Sequence, residues 1–377
     1  MKKIILPIVL LLSVFACREL EVPQPSAVST VDYSQHPKNA EYLAYVKDYQ
    51  QKSQSPGAVM LVAKGNDPLW AGAVGFSNLE HRTPFGTETP FRIGSITKVF
   101  VSALVLKLVE EDRLRLDDKL ATLLPQLAGA IPSSDQITVR QLLAHTSGVI
   151  DPPNQSLRYQ TDIVNDPGAL KSLTTQERLQ KYVTNQALLF QPGSNYSYSN
   201  PGYWLLELII ENVSGQSLSA QMAEKLLIPL GLTRTHLDRG TDNNVARGYT
   251  VTTPGNVRDV TTWDVAEGNG MAAGGLVSTV GDIHRFYTAL FGGKIISASL
   301  LADMQKQQLA NCTGPDCEYG LGLEIWHVGG KTGFGHNGAL IGIEANALYF
   351  PETKTTVVLY KNLGGGSDKS FLEKIAQ

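Results

Sequence analysis

The sequence predicts an α/β fold of the α+β kind, in which a mainly antiparallel sheet flanked by helices is built from both ends of the chain. β-rich runs occur before about residue 95 and after residue 270, whereas the stretch between them is rich in helical patterns and in proline and glycine. We therefore expect a sheet-containing domain made of residues 36–94 and 270–377, with a mostly helical domain, residues 95–269, inserted between its two halves.

Five stretches supply the elements of this prediction. Residues 58–78 are typical of a strand, a Gly-Asn turn and a second strand. Residues 95–114 form a helical pattern that is apolar on nearly every face, which indicates a buried helix. Near the end, residues 336–350 and 354–362 flank a Pro-Glu pair and predict a hairpin, and the last ten residues, 368–377, favour a helix.

The N-terminus has the pattern of an export signal. Lysines precede an apolar run, residues 4–16, that is too short to span a membrane, and Cys17 follows directly after an alanine. This predicts a signal peptide with a bacterial lipobox over residues 1–17, a lipid on Cys17, and a periplasmic or outer-membrane-attached lipoprotein. The alternative is ordinary cleavage nearby, with Cys17 incidental. The polar residues 18–35, which include two prolines, are predicted to be a tether.

Charge and cysteine content narrow the choice of partners. The chain has 35 acidic and 32 basic residues and no basic stripe, so we expect no nucleic-acid partner. Cys312 and Cys317 flank four residues and predict a local disulfide in an oxidising compartment. A zinc pair is the alternative, disfavoured because no second Cys or His pair lies close in sequence.

The first chemical motif is Ser95 with Lys98, three residues apart at the start of the apolar helix, so that both side chains project from one side. Burial lowers the pKa of an ammonium group, and a lysine so perturbed can help take the proton of a serine hydroxyl that attacks a carbonyl. The helix N-terminus supplies backbone N–H groups for a developing oxyanion. The structural alternative makes Ser95 a helix cap and lets Lys98 reach solvent.

The second motif is Tyr198 with Asn200. A phenol near a cation can be held partly ionised and act as a general base, and the amide can bond both the lysine and a substrate. The alternative is a turn before a helix, with Pro201 at the first helical position. A second Tyr-x-Asn, Tyr360 to Asn362, ends a C-terminal strand and is interpreted as a decoy.

The third motif is His336-Asn-Gly338, which opens a β-rich run along whose edge a substrate can lie. The backbone N–H of Ala339 is then the expected second oxyanion donor. Lys331-Thr-Gly333 competes for this role five residues earlier. For either triplet, the alternative is a glycine-rich turn.

Other polar residues are expected to have structural roles. His145 invites a Ser-His-Asp triad, but we expect it to stabilise a turn after a helix. The glycine-rich stretch Met271–Thr279 is interpreted as a packed strand and turn that lines the cleft, not a phosphate cradle. The histidines show no metal-ligand spacing, which disfavours a metalloenzyme.

The three motifs, in this order, resemble those of the penicillin-recognising serine hydrolases, in the branch that holds class C β-lactamases, D-alanyl-D-alanine carboxypeptidases and related esterases. The resemblance covers roughly residues 40–365 and includes "FRIGSITKVF", "ITVRQLLAHTSGV" and "FQPGSNYSYSNPGYWLL". It implies a β-lactamase/transpeptidase-like fold, with neither metal nor cofactor. It also favours His336 over Lys331, because "HNGALIG" fits the branch better.

The resemblance also implies roles for the individual residues. Ser95 would be the acylated nucleophile, Lys98 its proton partner, Tyr198 the general base, Asn200 a contact of substrate and Lys98, and His336 the cation or donor of the third motif, with Gly338 and Ala339 beside the substrate. We therefore expect a monomeric serine acyl-hydrolase whose Ser95 acyl-enzyme forms on a small molecule or a peptidoglycan peptide.

The expected activity is that of a D-alanyl-D-alanine carboxypeptidase or a class C-like β-lactamase. Carboxypeptidases of the branch often carry threonines, which help to grip a substrate carboxylate, where this chain has Asn337 and Ala339. This departure leaves room for an esterase. A non-catalytic sensor of penicillin or peptidoglycan is the alternative from outside the enzymes.

Overall fold

The computed structural model describes residues 31–238, 240–309, 318–366 and 369–377. The predicted signal peptide, the lipid site and most of the tether lie outside these residues, as do both members of the predicted disulfide. Among the residues that the structure describes, no helix combines the length and apolar character that a membrane span requires.

Most of the long strands lie near the two ends of the described chain, and most of the helices lie between them. The strands are β1 Gly57–Lys64, β2 Trp70–Asn78, β3 Thr83–Pro84, β4 Phe91–Arg92, β5 His236–Leu237, β6 Tyr249–Thr253, β7 Asn256–Asp259, β8 Leu276–Ser278, β9 Glu324–Val328, β10 Lys331–Leu340, β11 Ile343–Phe350 and β12 Thr355–Lys361. The helices are α1 Asn39–Ser53, α2 Thr97–Glu110, α3 Leu120–Leu123, α4 Val139–Leu143, α5 Pro152–Gln155, α6 Leu157–Asn165, α7 Pro167–Ser172, α8 Thr175–Tyr182, α9 Asn200–Ser214, α10 Leu218–Met222, α11 Thr261–Gly268, α12 Val280–Phe291, α13 Ala298–Gln305 and α14 Leu372–Ala376. Short 3-10 turns occupy Gly94–Ile96 and Pro125–Leu127, and a π-helical turn follows α10 at Ala223–Leu227.

The main sheet has seven strands in the order β3-β2-β1-β12-β11-β10-β9, and every neighbouring pair is antiparallel. Its strands come from both ends of the chain, because β1 pairs with β12 along its length. The predicted fold class, a mainly antiparallel sheet flanked by helices and built from both chain ends, is therefore confirmed. The segment between the two groups of strands is mostly helical but also contributes the two-stranded sheet β6-β7.

Helices cover both faces of the sheet, because successive side chains along a strand point to opposite faces and both sets are apolar. In β1, Met60 and Val62 belong to a core cluster shared with α1 and α14. Val59 and Leu61 point the other way and join the large cluster that contains α2 and α12. Helix α2 is buried over most of its surface, as its uniformly apolar sequence predicts.

The C-terminal β run differs from the prediction in one place. A single stretch was expected over residues 336–350, but the chain turns at Ile341 and Gly342 and forms two paired strands, β10 and β11. Asp264 accepts a hydrogen bond from Gly342 N at 2.7 Å, and a Cβ at residue 342 would lie only 2.6 Å from the other Asp264 oxygen. The turn therefore depends on Asp264 of α11, which is distant in sequence, and on a glycine at residue 342. A pattern of apolar residues indicates neither.

Candidate active site

A cleft of about 770 Å³ opens between the β9–β10 edge of the sheet and the helical segments. One wall is formed by β9 and β10, and the opposite wall by the loop before α9, by α5 and by α11. Ser95 lies at its floor, in the 3-10 turn that leads into α2. The glycine-rich stretch Met271–Thr279 contributes Ala273 and Gly274 to the lining, as expected from the sequence.

Two side chains converge on the Ser95 hydroxyl. The Tyr198 hydroxyl donates to Ser95 Oγ at 2.8 Å, and Lys98 Nζ lies 3.0 Å from the same oxygen. The lysine reaches it because residues three apart at the start of a helix share one side. The structure thus brings the first two predicted motifs together on one oxygen atom.

Lys98 is completely buried, with no exposed surface, and Nζ also contacts Asn200 Oδ1 at 2.8 Å and the Ala273 carbonyl at 2.6 Å. Burial lowers the pKa of Lys98 to about 7, although the carboxylates of Asp151 and Glu324 oppose this shift. A neutral amine has two N–H bonds and one lone pair. The two carbonyl-type oxygens match the N–H bonds, which leaves the lone pair facing the Ser95 hydroxyl.

Tyr198 sits against a fully buried histidine. The rings of Tyr198 and His145 have centroids 4.2 Å apart, and His145 Nδ1 accepts a hydrogen bond from Ser199 N at 3.1 Å. His145 has a positive φ of 58°, and its carbonyl accepts from Ser197 N, so it belongs to a turn as expected. Desolvation raises the pKa of Tyr198 well above that of an ordinary phenol, which disfavours the partly ionised phenolate expected from the sequence.

Asp151 orients Asn200, a role that sequence reasoning missed. Asp151 is buried, and its Oδ1 accepts hydrogen bonds from Asn200 N at 3.2 Å and Nδ2 at 3.1 Å. With Nδ2 held by the carboxylate, the amide oxygen points to Lys98. The one local signal is an aspartate before the prolines that begin α5, and that signal does not connect it with residue 200.

The His336 ring is fully buried behind the cleft wall, and Asn337 and Ala339 line the cleft at this point. Nδ1 bonds the Asn337 carbonyl at 2.5 Å, and Nε2 lies 2.8 Å from the Tyr319 hydroxyl. These partners fit a neutral ring that donates through Nδ1 and accepts at Nε2. Burial also lowers the pKa of His336. The sequence suggested a cation or a donor to substrate here, whereas the structure places a neutral supporting ring.

Glycines allow β10 to approach the nucleophile turn closely. A Cβ on Gly338 would lie 1.9 Å from the Ile93 carbonyl, and one on Gly94, whose φ is +50°, would lie 2.8 Å from Ala339 N. This close contact brings the backbone amides of Ser95 and Ala339 to the same part of the cleft. They are therefore the candidate pair of oxyanion donors.

The two competing motifs lie elsewhere. Lys331 stands at the far end of β10, about 17 Å along the strand from His336, and its Nζ bonds Glu352 Oε2 at 2.9 Å. Asn362 of the second Tyr-x-Asn bonds the backbone N–H of Gly57 at 2.7 Å within the sheet. Within the described ranges, no group of three or more His, Cys, Asp or Glu side chains is arranged to hold a metal ion.

Comparison with known proteins places this site in a family. The family profile described as Beta-lactamase matches residues 44–376, so the chain belongs to the beta-lactamase family of penicillin-recognising serine hydrolases. The predicted family membership is thus confirmed, and the chain is a serine hydrolase of the beta-lactamase fold.

Individual relatives are distant but cover most of the chain. The D-aminopeptidase of Brucella anthropi is 27% identical over 338 residues, which are 87% of this chain and only 60% of that protein. The octameric penicillin-binding protein homologue from Pyrococcus abyssi is 27% identical, with a TM-score of 0.74 over 89% of this chain and 75% of that one. The D-stereospecific amidohydrolase from Streptomyces sp. is 26% identical, with a TM-score of 0.74 over 88% of this chain and 96% of that one.

Proposed function

We propose that this protein is an amidohydrolase that cleaves small amide or ester substrates through an acyl-enzyme on Ser95. The observation that carries this proposal is the Ser95 hydroxyl held between Lys98 Nζ at 3.0 Å and the Tyr198 hydroxyl at 2.8 Å. Because the pKa of the fully buried Lys98 is about 7, its amine is neutral in a large share of molecules at physiological pH. Ser95 therefore has a base beside it that can accept its proton.

The geometry suggests the order of proton transfers. Neutral Lys98 takes the Ser95 proton as Oγ forms a bond to the substrate carbonyl carbon, and the amides of Ser95 and Ala339 stabilise the oxyanion. The Tyr198 hydroxyl, protonated at neutral pH, donates its proton to the leaving nitrogen or oxygen as the bond to it breaks, and is reprotonated by Lys98. Water then attacks the ester carbonyl carbon and gives a proton to Lys98. The bond from that carbon to Ser95 Oγ breaks, and Oγ takes the proton back from Lys98, which restores the Ser95 hydroxyl and the neutral amine.

The relatives support an amide as the substrate class. A D-aminopeptidase and a D-stereospecific amidohydrolase resemble this chain over most of its length, which supports a small amide or peptide as substrate. The second candidate is the D-alanyl-D-alanine carboxypeptidase or class C-like β-lactamase predicted from the sequence. The match to the Beta-lactamase family over residues 44–376 supports it.

The test is a substrate panel combined with intact mass. Wild type and Ser95→Ala are assayed with a D-amino acid amide, a D-Ala-D-Ala peptide, a cephalosporin and a short-chain p-nitrophenyl ester. We expect wild type to cleave the amide and the ester and to gain an acyl mass at Ser95, and Ser95→Ala to lose both. Preferential cleavage of the peptide or the cephalosporin would support the second candidate. A stable cephalosporin adduct at Ser95 without turnover would support the sensor, and full activity in Ser95→Ala would overturn the proposed mechanism.

We also propose that the protein is exported and anchored through a lipid on Cys17. Basic Lys2 and Lys3 before the apolar residues 4–16 support this proposal. Intact mass of the membrane-bound protein should show a lipidated N-terminal Cys17, and Cys17→Ala should appear in the soluble fraction. Wild type found soluble and without a lipid mass would contradict it. The expected monomeric state stays a prediction, which sedimentation velocity tests.

A further inference from the structure

We propose that Glu324 sets the charge preference of the Ser95 cleft, so that the enzyme favours substrates carrying an ammonium group and discriminates against those carrying a carboxylate. This inference rests on the proposed function, because it concerns the substrates of the same nucleophile. Glu324 begins β9 and lines the cleft, in the wall where the sequence suggested a cation.

The Glu324 carboxylate is held in a fixed position. Its Oε2 accepts hydrogen bonds from Asn337 N at 3.0 Å and from Trp326 Nε1 at 2.8 Å. The side chain keeps about a fifth of its surface exposed. Asn337, which holds the carboxylate, is two residues from Ala339, a separation of about 7 Å along the strand. The carboxylate therefore lies near the place where the substrate carbonyl would bind.

The nearest basic group does not neutralise this carboxylate. His336 Nδ1 lies 3.4 Å from Glu324 Oε1, yet its hydrogen is directed to the Asn337 carbonyl at the shorter distance of 2.5 Å. The Tyr319 hydroxyl occupies the other ring nitrogen. A neutral histidine leaves the negative charge of Glu324 uncompensated toward the cleft.

The rest of the lining leaves Glu324 as the main charge of the cleft. Glu318 also lines it but lies 3.0 Å from His327 Nε2, and burial raises the pKa of Glu267, a third lining carboxyl, to about 7. No arginine or lysine is among the lining residues of the described chain. Lys98 lies beneath the floor, where Ser95, Asn200 and the Ala273 carbonyl take up its nitrogen. A substrate carboxylate would therefore lose its hydration without gaining a cationic partner.

An ammonium group would meet favourable partners at the same place. It would lie beside the Glu324 carboxylate, in a cleft whose lining also includes the aromatic side chains of Tyr319 and Trp326. Charge pairing in a partly closed cleft is stronger than on an open surface, because fewer water molecules screen it. The structure therefore favours amino-bearing amides over carboxylate-bearing ones.

The experiment uses three p-nitroanilides of matched length: β-alanyl, butyryl and succinyl, which are cationic, neutral and anionic. For wild type we expect kcat/KM to decrease in that order. In Glu324→Gln, which keeps the size and an acceptor oxygen for Asn337 and Trp326, the β-alanyl to succinyl ratio should fall by about tenfold or more. The ratio in wild type should also shrink as salt is raised.

The matched control is Glu352→Gln, which removes the same charge from an exposed residue paired with Lys331 at the outer end of β10. It should leave the ratio unchanged. Cleavage of the neutral butyryl substrate shows that each variant is folded and that the Ser95 chemistry works. Butyryl cleavage with the ratio unaltered in Glu324→Gln would overturn the charge preference alone. Failure of wild type to cleave any of the three would count against the proposed function instead.

Discussion

The chain contains the triplet Tyr-x-Asn twice, and the two tyrosines do different things. Tyr198 points its hydroxyl at Ser95 Oγ, 2.8 Å away, in the wall of the cleft. Tyr360 lies in the middle of the sheet, where its ring stacks on Phe91 with centroids 4.1 Å apart. The Tyr360 hydroxyl is buried and, among the described residues, has no hydrogen-bond partner. Tyr198 therefore contributes its hydroxyl to the site, whereas Tyr360 contributes its ring to the core.

The lysines beside the two triplets differ in the same way. Among the residues that the structure describes, the hydrogen-bond partners of Lys98 Nζ are all neutral, and burial lowers the pKa of Lys98 to about 7. Burial also lowers the pKa of Lys361, but that Nζ lies 3.2 Å from a carboxylate oxygen of Glu344. A lysine close to a Tyr-x-Asn triplet is therefore a candidate base when a hydroxyl faces its Nζ, and a structural cation when a carboxylate does.

The largest expected effect separates the two lysines. Lys98→Met should lower kcat/KM by roughly 1,000-fold, because the base that accepts the Ser95 proton is gone. Lys361→Met should keep kcat/KM and lower the free energy of unfolding by about 2–3 kcal/mol, because buried Glu344 loses one of its cationic partners. Steady-state rates on the neutral anilide and urea unfolding give the two quantities. Lost activity in Lys361→Met without loss of stability would contradict a purely structural role for Lys361.

The two tyrosines should differ by a smaller factor. Tyr198→Phe removes the hydroxyl that would protonate the leaving group, so we expect kcat to fall by about 100-fold. Tyr360→Phe removes a buried hydroxyl without a partner among the described residues, so we expect unchanged kcat and a gain of about 1 kcal/mol in the free energy of unfolding. Thermal unfolding serves as the stability control. A large loss of kcat in Tyr360→Phe would contradict the separation of roles.

The pH profile tests Lys98 directly. The pKa of Lys98 is about 7, so below pH 7 most molecules carry the ammonium form, which cannot act as a base. We therefore expect kcat/KM to fall about tenfold per pH unit below pH 7 and to reach a plateau above it. Because the Glu324 carboxylate raises the pKa of Lys98, Glu324→Gln should move this limb to lower pH. The same limb in Glu352→Gln is expected at the wild-type position. A profile flat between pH 5 and 8 would rule out Lys98 as the base.

Local spacing accounts for what the sequence could predict. The three-residue step from Ser95 to Lys98 fixes their common side in any helix, and the apolar faces of α2 predict its burial. The order of the three motifs then indicated the family, and with it the fold. Each of these inferences depends on residues that are close in sequence or on the order of motifs along it.

The parts that the sequence could not predict depend on distant contacts. Asp151 lies 49 residues before the amide that it orients, and Glu324 lies 13 residues before the Asn337 N–H that holds it. The neutrality of His336 depends on its burial and on Tyr319, 17 residues away. The sign of the charge in the cleft follows from these contacts, and for that reason a substrate could not be inferred from motifs alone.

The smallest expected effect concerns the two asparagines. Asp151→Asn should weaken the orientation of Asn200 and lower kcat/KM by about tenfold, since the amide that replaces the carboxylate is a poorer acceptor for the Asn200 N–H groups. Asn362→Ala should keep the rate and cost about 1–3 kcal/mol of stability, because the backbone N–H of Gly57 and the carbonyl of Phe76 lose their partner. Rates and urea unfolding on both variants complete the comparison. A rate effect that followed Asn362→Ala and spared Asp151→Asn would reverse the assignment of the two triplets.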